Sequence, residues 1–236
     1  MKELTEMQTL VLVAHPHLAD STTQQFFKAS LPSTGVTYRA LTAQETYDAA
    51  REQAALRQAD RIIFQFPLYW YAAPASLAQW EAAVLTRTFV YGDHRYPLAD
   101  KELGVVVTTG MPAQAFRRGG TENVTIDALM APLAALAHRA HMTWLPTLAV
   151  HQFNYLDEAQ KLQLVVDYQR YLTQPAPDTL ANRQAWFADR LPAMVAQLAP
   201  ADRATGELIV TTMTQQQDDL EALMATLAMI KEQDDD

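Results

Sequence analysis

The chain has 236 residues, 49% of them apolar, a formal net charge of −9 and no cysteine, enough to bury one large domain or one ordinary domain with an appendage. Lack of cysteine excludes disulfides, thiolate metal sites and thiol catalysis, and the acidic balance excludes general nucleic-acid binding, which needs clustered Lys and Arg. With no basic-then-apolar leader and no apolar run near the roughly 18 residues of a membrane span, a cytoplasmic protein is expected.

In chain order, the first apolar run is TLVLVA at 9–14, read as a strand buried on both faces. It runs into HPHLADSTTQQFF. His15-Pro16 stops the strand, and Asp20 followed by Ser21, Thr22 and Thr23 opens a helix over 21–31 with an N-cap and three hydroxyls at its first turn. Helix N–H groups and the positive end of the dipole would hold a phosphate there, but Ser and Thr are also ordinary caps, and these residues alone leave both readings open. No G-x-G-x-x-G and no Walker loop occurs, which disfavours a Rossmann dinucleotide site or a P-loop NTPase.

A second strand at 36–41, a helix at 48–59 and a third strand at 61–66 follow. The third strand leads into QFPLYWYAAPASLAQW. Pro67 ends it, Leu68, Tyr69, Trp70 and Tyr71 form a short loop, and Pro74 begins a helix over 74–87, where proline is tolerated. A loop braced by two prolines offers flat aromatic walls and free amides to a planar heteroaromatic ligand, although aromatics packed in a core or interface fit the same residues. A fourth strand at 103–109 ends in Thr108, Thr109 and Gly110, a glycine that lets backbone approach a ligand closely. Phe116 and the pair Arg117-Arg118 lie on the long loop beyond, the arginines suiting either a solvated surface or phosphate recognition. Helix 121–141, strand 144–150 and helix 157–172 complete the alternation.

Five strands alternating with helices predict an α/β, doubly wound, five-stranded parallel sheet with right-handed crossovers. The linker QPAPD at 174–178 divides a domain at 1–175 from a C-terminal helical extension at 176–236. That extension carries a helix at 180–198 and a last helix with Leu220, Leu223, Met224, Leu227 and Ile230 on one stripe, suited to packing on its own body or on a partner subunit. Residues 215–236 hold seven carboxylates against one lysine, so the tail carries most of the net charge. Ligands of such a sheet bind beyond the carboxyl ends of the strands. Phosphate turn, aromatic wall and glycine ledge together suit a flavin mononucleotide moiety.

The run QFPLYW-Y-(x)2-P-(x)5-W, with F-x-YG at 89–92 and TTG at 108–110, resembles the flavodoxin-like NAD(P)H:quinone oxidoreductases over roughly residues 8–172. That family includes DT-diaphorase and the ancillary reductases of glutathione-gated potassium efflux systems. The resemblance implies a flavin phosphate at His15, Ser21, Thr22, Thr23 and Gln24, and an isoalloxazine against Pro67, Leu68, Tyr69, Trp70 and Tyr71. It implies a ring edge at Thr108, Thr109 and Gly110, Tyr71 and Phe116 as catalytic residues walling the slot, and an active site shared across a homodimer. Gln24 stands where the family has Asn, Met111 where it has a second Gly, and Phe116 where it often has Tyr. No histidine stands in the 117–123 loop, so two hydrogen-bond donors are missing from the substrate side.

The activity so implied is two-electron, ping-pong hydride transfer from NAD(P)H to a quinone or similar small-molecule acceptor. FMN is expected over FAD because nothing in the chain argues for an adenine pocket. Two rival readings are an azoreductase or nitroreductase, and a non-catalytic flavin-binding subunit docked peripherally on a membrane transporter.

Overall fold

The computed structural model describes residues 7–42, 46–92 and 95–234, which form two compact units, Met1–Thr173 and Gln174–Asp236. The first unit runs β1 (Thr9–Ala14), α1 (Thr22–Ala29), β2 (Val36–Leu41), α2 (Ala49–Gln58), β3 (Arg61–Pro67), α3 (Ala75–Val84), α4 (Arg87–Val90), β4 (Glu102–Thr109), α5 (Ile126–Leu129), α6 (Ala131–Arg139), β5 (Thr143–Trp144), β6 (Leu148–His151) and α7 (Glu158–Thr173). All strand pairs are parallel, in the order β2-β1-β3-β4-β5, with β6 also on β4. Strand order reverses between β1 and β3, which opens a crevice beyond their carboxyl ends.

The expected fifth strand forms as two pieces on the same neighbour. Trp144 lies opposite Leu103 and Leu148 opposite Val106, so this side takes four steps where β4 takes three. The extra residue makes a bulge at Pro146, whose missing N–H cannot serve the ladder. The expected helix at 121–141 likewise breaks into α5 and α6. Thr125 caps α5, its hydroxyl accepting from the Ala128 amide at 3.1 Å, and Pro132 then cannot extend the same helix, for it lacks an N–H and crowds the carbonyl four residues back.

Alternation along the strands assigns the two faces. Leu10, Leu12, Ala14, Ile62, Phe64, Phe66, Leu103, Val105 and Val107 share one core with Leu77, Trp80 and Val84 of α3 and Ala137 of α6. The opposite face carries buried polar groups. The Thr9 hydroxyl donates to the Leu172 carbonyl at 2.6 Å, and Arg61, 2% exposed, bonds Glu102 at 2.6 Å and the Tyr171 carbonyl. Gln65 donates to Gln24 at 2.6 Å and accepts from the Tyr168 hydroxyl at 2.7 Å. These bonds fasten α1 and α7 to the sheet and satisfy groups that would be costly to bury alone.

In the second unit, α8 (Leu180–Ala196) turns into α9 (Pro200–Asp234), and the two pack together. Gly206 makes the close approach: a Cβ there would sit 2.8 Å from Val195. No helix among the described residues is long and apolar enough to cross a membrane.

Candidate functional site

The carboxyl ends of β1, β3, β4 and β6 surround a cleft of about 290 Å³, lined by His15, Ser21, Thr23, Pro67–Tyr69, Thr108–Gly110 and the 152–155 loop. After β1, a single 3-10 turn at Leu18–Asp20 carries the chain to Ser21. Ser21, not Asp20, is the cap of α1, its hydroxyl accepting from the Gln24 amide at 3.3 Å. The first α1 amides thus face the cleft end of the helix beside the Thr23 side chain. The His17 amide donates to His15 Nδ1 at 3.0 Å. In the neutral ring the remaining proton is therefore on Nε2, a donor for an anion. Burial first, then the neighbouring His17, lowers the His15 pKa from 6.5, which favours that neutral form.

Gln24 corrects the sequence reading. Its side chain is fully buried on the sheet side of α1, as is Phe27 one turn later, and binds Gln65. Helical periodicity turns it inward, so only its already capped amide lies near the cleft. Thr22 is spent on another contact, its hydroxyl donating to Asn154 Oδ1 at 3.1 Å.

The aromatic loop is a two-residue hairpin. Tyr69 and Ala72 exchange backbone bonds at 3.0 Å, and Trp70 and Tyr71 between them have φ of 47° and 66°. Both central residues are left-handed, as a type I′ turn requires, a conformation that side-chain-bearing residues adopt at a cost. The expected free amides are fewer than the sequence suggested, because Leu68 N–H donates to the Thr108 carbonyl at 2.8 Å and Tyr69 N–H to Ala72. Tyr69 lines the cleft, whereas Trp70 is 92% exposed and Tyr71 reaches across to the β4 loop, its hydroxyl donating to Glu122 at 2.8 Å. That carboxylate holds the Tyr71 phenol above its usual pKa.

Beyond β4, the Thr109 hydroxyl accepts from the Met111 amide at 3.2 Å, and a Cβ added to Gly110 would meet nothing within 4 Å, so this ledge is open. Phe116 is buried, 5.8 Å from the ring of His151, and neither it nor Arg117 or Arg118 lines the cleft. His151, from β6, contacts the Met111 carbonyl through Nδ1 at 3.1 Å. An imidazole therefore stands beside this loop, although the loop's own sequence lacks one.

Residues 152–155 are the part of the cleft that sequence reasoning missed. Gln152, with φ of 47°, turns the chain into a 3-10 segment at Phe153–Tyr155, and Phe153 packs 4.9 Å from Phe26 of α1. The available signal was QFNY directly after the fifth strand, an aromatic run at a strand's carboxyl end like the one after β3.

Hydroxyls and amides at a helix start, an aromatic ring and an open glycine ledge around one crevice suit a phosphorylated, planar heteroaromatic ligand such as FMN. Fold and cleft together define a doubly wound α/β protein with its site at the topological switch point. Residues 7–172 match the model of the flavodoxin-like fold family, and the chain belongs to that family. It is 48% identical to a solved NADPH-quinone reductase from P. pentosaceus, covering 72% of this chain and 100% of that one with a TM-score of 0.68. It is 26% identical to general stress protein 14 of Treponema denticola, solved in complex with FMN, over 70% of this chain and 97% of that one at a TM-score of 0.63. The glutathione-regulated potassium-efflux system ancillary protein KefG of Cronobacter sakazakii is 33% identical over 71% of this chain and 94% of its own.

Proposed function

We propose that the chain is a flavin-dependent NAD(P)H oxidoreductase that holds FMN in the β1–β3–β4 cleft and passes two electrons to quinones or similar acceptors. The observation that carries this reading is the convergence of the α1 start, the Tyr69 ring and the Gly110 ledge on one crevice. The likeness to an NADPH-quinone reductase and to an FMN-bound protein supports it.

His15, Ser21 and Thr23, with the first amides of α1, hold the phosphate, and Thr22 braces that turn through Asn154. Pro67, Leu68 and Tyr69 form the bed of the ring, and Thr108, Thr109 and Gly110 meet its edge, where backbone amides favour developing negative charge. Phe153 and Tyr155 close the fourth side. Trp70 and Tyr71 wall the slot above the ring, while Phe116 is a packed residue outside the cleft lining. When bound, flavin would supply the two-electron carrier between NAD(P)H and the acceptor. No acid or base of the chain is required. A homodimer completes the slot.

The test is the visible absorbance of the purified protein before and after anaerobic NADPH or NADH. Flavin bands that bleach, followed by recovery on adding a quinone, support the reading. A protein that cannot be reconstituted with FMN or FAD overturns it. The KefG likeness favours a second reading, a flavin-binding subunit docked on a transporter; rapid quinone turnover by the isolated protein counts against it.

A further inference from the structure

The second unit lies beyond the family match, which ends at residue 172. Its two helices differ in length: α8 has 17 residues and α9 has 35, or about 26 and 52 Å at 1.5 Å per residue. The hairpin is antiparallel, with Gly206 against Val195 near the turn and Arg203 donating to the Ala196 and Leu198 carbonyls. About half of α9 therefore runs past the end of α8.

That half carries an exposed apolar seam. Leu220, Leu223, Met224, Leu227 and Ile230 are all exposed, Leu223 by 61% and Leu227 by 56%. Together with Ile209 and Met213 the sequence follows a heptad: 209, 213, 216, 220, 223, 227 and 230 are successive core positions, filled by Ile, Met, Gln, Leu, Leu, Leu and Ile. The spacing of 3.5 belongs to helices that wind around another helix, not to one lying on a sheet or alone. Gly206 is buried against Val195 and Val210 and Met213 are half-buried, whereas Ile209 and Gln216 are exposed, so the seam runs free beside the α8 contact.

The charge pattern decides what covers it. Asp218 and Glu207 are exposed on the side of α9 away from the seam, and the positions flanking the seam carry Thr212, Thr226, Val210 and Met224, with Asp219 the one flanking acid. A lipid surface would call for Lys and Arg along the seam edges, and between Ile209 and Ile230 the flanking positions 210, 212, 217, 219, 224 and 226 hold none. Between Ile209 and Ile230 a second copy meets no like charge. In a parallel, in-register pair, Asp219 faces Met224 of the partner copy, and Gln216 meets its own counterpart, so that both amides are bonded. In the antiparallel register that keeps the leucines paired, the same amide would lie against Leu227, with no partner.

We infer that α9 is a dimerisation arm: its seam from Ile209 to Ile230 forms a parallel, in-register coiled coil with α9 of a second copy. The arm is a contact between copies separate from the ligand cleft, and rests on the homodimer of the proposed function only in naming a second copy as partner.

The absence of native cysteine makes the test direct. Leu223→Cys and, separately, Asp218→Cys are introduced into the full chain and oxidised with diamide, and covalent dimer is read on non-reducing gels. Parallel pairing links two Leu223→Cys copies at least about tenfold faster than two Asp218→Cys copies, because core positions of a coiled coil face each other and outer ones do not. The double variant Leu220→Glu/Leu227→Glu is expected to weaken self-association by at least about tenfold in sedimentation equilibrium, since it places unpaired charge in the seam. Equal linking rates at the two sites overturn the inference. So does a link between Leu220→Cys and Leu223→Cys copies without one between Leu223→Cys pairs, which would mean an antiparallel arrangement. The cysteine result stands even where the glutamates unwind the helix. Flavin bands measured on every variant separate failure of the arm from failure of the cleft.

Discussion

Trp70 concentrates the tension between stability and function at the residue scale. It sits left-handed at φ of 47° and is 92% exposed, so its ring adds almost nothing to the core while its backbone carries strain. A left-handed residue with a side chain costs about 1–2 kcal/mol, and Asn tolerates that region better than Trp. Trp70→Asn is therefore expected to hold stability or raise it by up to about 1 kcal/mol in urea unfolding, while weakening occupancy of the slot, read as a higher KM for NAD(P)H. A clear loss of stability would mean that the ring packs against something and that the turn is not strained for presentation. The sequence showed the three aromatics of the loop; it could not show that two of them occupy a type I′ turn, because that depends on Tyr69 and Ala72 pairing across it. Gln24 is the converse case. A polar residue at a helix start reads as a ligand donor, yet its bond to Gln65, on a strand 41 residues away, takes it out of the cleft.

At the scale of elements, two packing decisions carry measurable consequences. Glu81 of α3 is half-buried with one carboxylate oxygen lacking a hydrogen-bond partner, and burial pushes its pKa from 4.5 up to about 7. A folded pKa above the unfolded one means that the folded state binds the proton more tightly, so this contribution is fully present below 4.5 and is lost as pH rises through about 7. Glu81→Gln is thus expected to leave Tm close to wild type in acid and to raise it above wild type on the alkaline side, measured by calorimetry across that range. Identical pH profiles for the two proteins would place Glu81 in water. In β4, Gly104 is set by α7: a Cβ there would lie 2.5 Å from the Tyr171 hydroxyl oxygen and 2.8 Å from Ile63, and the same hydroxyl accepts from the Val105 amide. Gly104→Ala is expected to cost about 1–3 kcal/mol in urea unfolding, through overpacking and displacement of that bond. An unchanged midpoint would show that α7 moves away without penalty. The run LGVVVTT announced a strand, but why it contains a glycine was decided by a tyrosine on α7.

For the whole molecule, the buried cluster on one face of the sheet draws on residues 10–142, and the other face is covered by α1 and by α7, whose Leu164, Tyr168 and Leu172 are buried; among the described residues, none of α8 or α9 belongs to that cluster. A chain ending at residue 175 is therefore expected to keep the urea midpoint of the first unit and to reconstitute with FMN as the full chain does, while losing the association carried by α9. Loss of flavin binding on truncation would mean that the extension completes the cleft. Local sequence was enough to determine the alternation of strands and helices, and hence a parallel doubly wound sheet, because period and turn chemistry are written within a few residues of one another. It was also enough to point to the loops after the first, third and fourth strands, since chain order alone puts them at one end of such a sheet. Tertiary structure decided the rest. The bulge at Pro146, the break at Pro132 into α5 and α6, the buried string from Gln24 through Gln65 to Tyr168, and the 152–155 loop as a wall of the cleft all depend on partners remote in sequence. Whether a polar side chain serves a ligand or the core is settled by which partner the folded chain brings to it, and no local pattern carries that information.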